Sequence, residues 1–131
     1  SAASDVYKRQ IVRRILMDIE FLKEKTVQFR DERDWKQFHT PKNLAMALSV
    51  EASELAELFL WNDNAGSFNT AITQNEHLQE EMADVLIYLL SMSDILDIDL
   101  SKAVLDKLEK NNKKYPVEKS KGSCKKYTEL K

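Results

Sequence analysis

Only two glycines and two prolines interrupt this chain, and that scarcity of backbone breakers constrains its fold more than any other feature. A β-rich chain needs turn residues about every 8–12 positions, whereas long helices need few. Early in the chain Ile11, Ile15, Ile19 and Leu22 recur at three- and four-residue steps, the period of one helix face. The sequence therefore predicts an all-α protein, a bundle of four or so helices.

A first helical region is expected from about Val6 to Trp35, becoming irregular at the polar run from Arg30 to Asp34. Thr40 followed by Pro41 is a helix-start signal, and that helix should reach about Trp61. Asn62 to Asn75 reads as a polar connection containing Gly66. A third helix should run from about Glu76 to Leu96, apolar on nearly every side after Asp84 and so central. Asp99 or Ser101 can cap a fourth, which should stop before Tyr115 and Pro116 because a residue preceding proline avoids helical geometry. Residues 117–131 read as a basic, irregular tail. The 131 residues suit a single domain, with Ser1 to Ser4 carrying no weight.

The net charge of −2 provides no basic field for nucleic acid or an anionic membrane. No stretch of about 18 apolar residues exists to span a bilayer, and the N-terminus lacks a signal-peptide core. Cys124 stands alone, so no internal disulfide forms and a reducing, cytoplasmic setting is expected. A small phosphorylated ligand remains compatible with the charge, because a bound metal reverses it locally.

The informative residues are acids on apolar faces. At ~100° per residue, Leu44, Leu48, Leu55 and Leu58 all lie within roughly 60° of Glu51 on the helical wheel. Glu54 flanks that face three residues on. In the third helix Glu81 shares its direction with Val85, Tyr88 and Met92, and Asp84 follows at the same three-residue step. Two helices thus aim Glu51 with Glu54, and Glu81 with Asp84, at a core. Unpaired buried carboxylates cost several kcal/mol or take up protons, so four together call for cations. Neither helix carries Lys or Arg between Asn43 and Leu96. Mg²⁺ meets the requirement, since it prefers oxygen ligands and bridges carboxylates to phosphates.

Other chemistries fit less well. A di-iron bundle wants Glu-x-x-His pairs, and neither His39 nor His77 follows a Glu at that spacing. No nucleophile elbow and no phosphate-cradling glycine loop occurs. Glu57 is ambiguous, while Glu80 and His77 read as solvent-facing.

The run from Glu51 through Glu54 and Glu57 to Trp61, followed by Glu80, Glu81, Asp84 and Tyr88, resembles the all-α nucleoside triphosphate pyrophosphohydrolases of the MazG-like superfamily. Within it the likeness is greatest to the dCTP pyrophosphatases. The similarity extends over Glu32 to His39, Asn111 to Pro116 and Gly122 to Thr128, roughly Asp31 to Leu130 in all. It implies Mg²⁺ held by Glu51, Glu54, Glu81 and Asp84, with water attacking the α-phosphorus and pyrophosphate leaving. By the same resemblance the four acids form the catalytic set, with Glu54 the choice for general base.

Asn111, Lys114, Tyr115 and Lys126 match positions that would bind the nucleotide, Asn111 and Lys114 through its phosphates. Trp35, Trp61 and Tyr88 are candidates for the walls of the base pocket, with His39 nearby. Val50 and Ser53 stand where relatives often have glycine, and Thr26 where some carry a histidine. Base preference therefore stays open between dCTP, a modified cytosine nucleotide and a wider set of dNTPs. The likeness also implies a dimer or dimer of dimers, a house-cleaning role and a small-molecule nucleotide partner. A non-catalytic nucleotide-sensing or protein-binding bundle is the alternative from another class.

Overall fold

A computed structural model describes residues 1–16 and 18–131, and the side chains of all but residues 13–17. The expected place of Ile15 in the first apolar stripe lies outside the described side chains. Among the described residues there are seven α-helices and no strand: α1 Ala2–Leu16, α2 Ile19–Asp31, α3 Pro41–Glu57, α4 Asn64–Thr73, α5 Asn75–Ile95, α6 Leu100–Lys114 and α7 Val117–Ser120. They separate into two compact units, Ser1–Asp97 and Ile98–Lys131.

Helix starts follow side-chain capping. Thr40 accepts from the Asn43 amide, with Pro41 opening α3. Asp99 accepts from the Lys102 amide at 3.0 Å and starts α6, so of the two candidate caps Asp99 is the one used. Asp97 closes the end of α5 in the left-handed region, at φ 50°, a conformation that aspartate tolerates better than most residues. The Thr40→Ala substitution is expected to cost about 1 kcal/mol. Urea unfolding checks this, and an unchanged midpoint would mean the cap adds nothing to α3.

Three sequence expectations need correction. The first helical region from Val6 to Trp35 is divided into α1 and α2, because Asp18 accepts from the Phe21 amide at 2.9 Å and begins a new helix. Past Asp31 the chain turns through Asp34, at φ 52°, into a 3₁₀ turn at Lys36–Phe38. The polar connection from Asn62 to Asn75 is mostly helix α4. Asp63 caps it by accepting from Gly66 at 2.7 Å, and a Cβ on Gly66 would stand 2.9 Å from that carboxylate oxygen. Gly66 thus marks a cap contact and not a loop. The tail expected to be irregular holds the four-residue α7 and a 3₁₀ turn at Tyr127–Glu129.

In the first unit α5 packs against α2, α3 and α4, the central position its composition implies. Leu44 of α3 and Leu90 of α5 are almost completely buried, at 1% and 2% exposure. Ser91 and Ser93, also buried, donate to carbonyls of their own helix, which satisfies their hydroxyls without a partner helix. Arg30, buried at the end of α2, reaches Asp94 of α5 and fixes the two helices together. In the second unit the Tyr127 ring receives the edge of Tyr115 and lies under the Lys114 ammonium, which ties the tail to the end of α6.

Candidate metal and nucleotide site

The wheel argument for Glu51 holds in three dimensions. Leu44 is buried, Leu48, Leu55 and Leu58 are half-buried, and Glu51 sits half-buried on the same stripe of α3. Opposite it on α5, Glu81 is buried at 7% exposure and Asp84 is half-buried one turn on. One carboxylate oxygen from each of Glu51, Glu81 and Asp84 lies within 4.8 Å of the other two. Glu54 falls outside this group and is exposed.

Electrostatics mark the cluster as needing positive charge. Burial pushes the Glu51 carboxyl above its ordinary value, and the neighbouring charges of Glu54, Asp84 and Glu81 push it further the same way. Tyr88, beside them, is raised first by burial and then by the charges of Glu51 and Asp84. No Lys or Arg side chain forms an ion pair with any of these acids among the described residues.

A divalent cation fits the donor set. One oxygen of Glu81, Oε2, is buried without a hydrogen-bond partner, an expensive state for a carboxylate that a cation would relieve. Around octahedral Mg²⁺, with bonds of about 2.0–2.1 Å, ligand oxygens are at most about 4.2 Å apart. Three ligands include at least two adjacent pairs, which stand about 2.9 Å apart around such an ion, so the carboxylates need to close by up to about 2 Å, within the reach of side-chain rotation.

Beside the acids is a cleft of ≈ 410 Å³ lined by Glu54, Glu57, Leu58, Trp61, Gln74, His77 and Glu81. Its walls come from the end of α3, the turn after it, the junction of α4 and α5, and the first turns of α5. Trp61 is 92% exposed, a large apolar surface with nothing packed on it. Glu80 is exposed, as the sequence reading had it.

The remaining expected site residues are distributed as follows. Trp35 is exposed and meets the Phe29 ring edge-on at 5.9 Å. His39 is half-buried, its Nδ1 has no partner, and burial followed by the Arg30 charge holds its pKa below the usual value. Asn111, Lys114, Tyr115 and Lys126 belong to the second unit, where Lys114 and Tyr115 are engaged with Tyr127. Thr26 donates to the Leu22 carbonyl at 2.9 Å, a bond within its own helix.

His77 is exposed, as the sequence reading had it. What that reading did not include is its contact with Glu81, whose Oε1 lies 2.7 Å from the His77 Nε2 across one helical turn. The spacing of four residues from a core-facing glutamate was the available signal.

The chain has counterparts among known proteins. Residues 46–130 match the model of the MazG-like family. The chain belongs to that family. It is 45% identical over 114 residues to dCTP pyrophosphatase 1 of Rattus norvegicus, covering 86% of this chain and 67% of that one. The protein of the same name from Homo sapiens is 42% identical over the same length and shares. Among solved structures, a pyrophosphatase from Archaeoglobus fulgidus superposes with a TM-score of 0.72 at 44% identity, covering 74% of this chain and 91% of that one. The MazG-like fold expected from the sequence is thereby established. Among the described residues no helix is long and apolar enough to cross a membrane.

Proposed function

We propose that this chain hydrolyses a deoxynucleoside triphosphate, dCTP or a close relative, at the α-phosphorus, releasing the monophosphate and pyrophosphate. The observation that carries the reading is the convergence of Glu51, Glu81 and Asp84, with a buried unpartnered oxygen, beside a cleft bearing Trp61. The similar proteins, dCTP pyrophosphatase 1 of two mammals and an archaeal pyrophosphatase, support the substrate class and the release of pyrophosphate.

In this mechanism Glu51, Glu81 and Asp84 would hold Mg²⁺, while the exposed face of Trp61 stacks on the base. Bound Mg²⁺ supplies neutralisation of the phosphate charge and a more acidic water. Glu54 lines the cleft beside Glu51 but outside the group of three converging acids, which suits a carboxylate that accepts the proton of the attacking water. The family resemblance assigns Asn111, Lys114, Tyr115 and Lys126 to nucleotide binding, Lys114 and Asn111 to the phosphates, and Trp35, His39 and Tyr88 to the base pocket. The acting form is a dimer or dimer of dimers. Exposed Met82, Ile87 and Leu89 on α5 and Phe68 and Ile72 on α4 support that reading, since such side chains are usually covered by a neighbouring chain. The physiological role is removal of unwanted deoxynucleotides in the cytoplasm, a setting in keeping with one exposed, unpaired cysteine.

Hydrolysis of each common dNTP and NTP, with and without Mg²⁺ and with the products identified, tests the proposal. Monophosphate and pyrophosphate are expected only with metal, with dCTP or another dNTP turned over fastest. Release of orthophosphate would place the attack at a different phosphorus. Turnover of no nucleotide would replace the enzyme with a nucleotide-sensing bundle.

A further inference from the structure

His77 stands in the wall of the cleft and belongs to no part of the machinery described above. Its side chain is 55% exposed, yet its Nε2 reaches the nearly buried Glu81 carboxylate at 2.7 Å. We infer that His77 is a positioning residue that orients Glu81 for metal binding, an inference that rests on the reading of Glu51, Glu81 and Asp84 as metal ligands.

A carboxylate only accepts hydrogen bonds, so the imidazole donates, and the contact fixes the proton on Nε2. That donation commits Oε1 of Glu81 to the protein. The other oxygen, Oε2, is buried and has no partner, and so is the one left to meet a cation. Without the imidazole the carboxylate would be free to turn about its last bond, and either oxygen could be lost from the cluster. A ligand carboxylate held by an outer hydrogen bond loses less entropy on metal binding, the general reason such partners matter to affinity. The geometry favours the assignment in one further respect. His77 and Glu81 are four residues apart on α5, so the regular helix presents the donor to the carboxylate with no movement of the backbone.

A glutamine should serve in place of the histidine. Gln28 donates to Glu32 at 3.0 Å over the same four-residue step in α2, so the reach is sufficient. A leucine keeps the bulk and removes the donor.

The test is calorimetric titration of Mg²⁺ and Mn²⁺ into nucleotide-free wild-type protein, His77→Leu and His77→Gln at one fixed pH, with melting curves of the metal-free proteins alongside. His77→Leu is expected to weaken metal binding by about 10–100-fold, and His77→Gln to restore it to within a few-fold. The metal-free melting curves need only show both variants folded at the titration temperature, so that a loss of affinity is not a loss of fold. Equal affinities for wild type and His77→Leu would overturn the assignment while leaving the metal site standing. Absence of any metal binding by the wild type would remove both.

Discussion

Asp84→Asn or Glu51→Gln is expected to lower kcat/KM for dNTP hydrolysis by at least about 10³-fold, or about 4 kcal/mol of transition-state stabilisation. The same substitutions should raise the melting temperature of the metal-free protein. Both effects have one cause. Three carboxylate oxygens within 4.8 Å repel one another without a cation, and the strain is visible in Glu51, whose pKa is raised by burial and by its acidic neighbours. A carboxyl whose folded-state pKa lies above its ordinary 4.5 binds protons more readily in the folded state. Its stabilising contribution is complete below 4.5 and is lost as pH rises through the folded-state value. Metal-free wild type should therefore lose stability over that rise, and Glu51→Gln should lack this part of the pH dependence. Saturating Mg²⁺ should reverse the ranking, because the ion binds the ionised acids of the wild type. Thermal melts across pH, with and without metal, and steady-state kinetics check the two halves separately. Variants that hydrolyse dNTPs at the wild-type rate would remove these acids from the reaction.

The residues that carried the site in the sequence did so because helix geometry is periodic and local. Leu44, Leu48, Leu55 and Leu58 define a stripe, and Glu51 lies in it whatever the rest of the chain does. The two strongest starts, Thr40 with Pro41 and Asp99, were legible for a similar reason: a cap is a contact between a side chain and an amide three residues away.

Elements whose signal is weak or shared were harder to read. The apolar residues of α4, Phe68 and Ile72, are exposed and sit among Asn, Ser, Thr and Gly, so its composition matches a loop. Asp18 breaks the first helical region through a cap that looks, in sequence, like one more charged residue on a solvated face. The contact between His77 and Glu81 was not read, because His77 was judged alone. Its meaning depends on Glu81, and only the pair one turn apart, with the glutamate inward, shows it.

Arg30 is the clearest case of a residue whose role tertiary structure alone reveals, and its pair with Asp94 carries the largest expected effect on stability. In the sequence it opens a run of charged residues, yet in the fold it is 3% exposed. Its Nη1 donates to Asp94 at 2.6 Å and its Nε to Asp31 at 2.8 Å. These bonds hold its pKa above the ordinary value against the cost of burial, Asp31 contributing most. The two partners differ in how replaceable they are. Asp31 is half exposed, so water can take its place, whereas Asp94 is 27% exposed and comes from a helix 64 residues away in the chain.

Asp94→Ala leaves a buried guanidinium with one partner. It is expected to destabilise the protein by about 3 kcal/mol, the lower end of the range for a broken buried pair because Asp31 remains. For a chain of this size the melting temperature should fall by roughly 10 °C. Asp31→Ala should cost far less than Asp94→Ala, since its exposed carboxylate is readily replaced by solvent. Arg30→Met combined with Asp94→Leu should recover most of the loss, because removing both charges leaves none to bury. Chemical denaturation of the three variants distinguishes these cases. If Asp94→Ala unfolds at the wild-type midpoint, α2 is held to α5 by apolar packing alone, and the ion pair is incidental to the framework that presents Glu81 and Asp84.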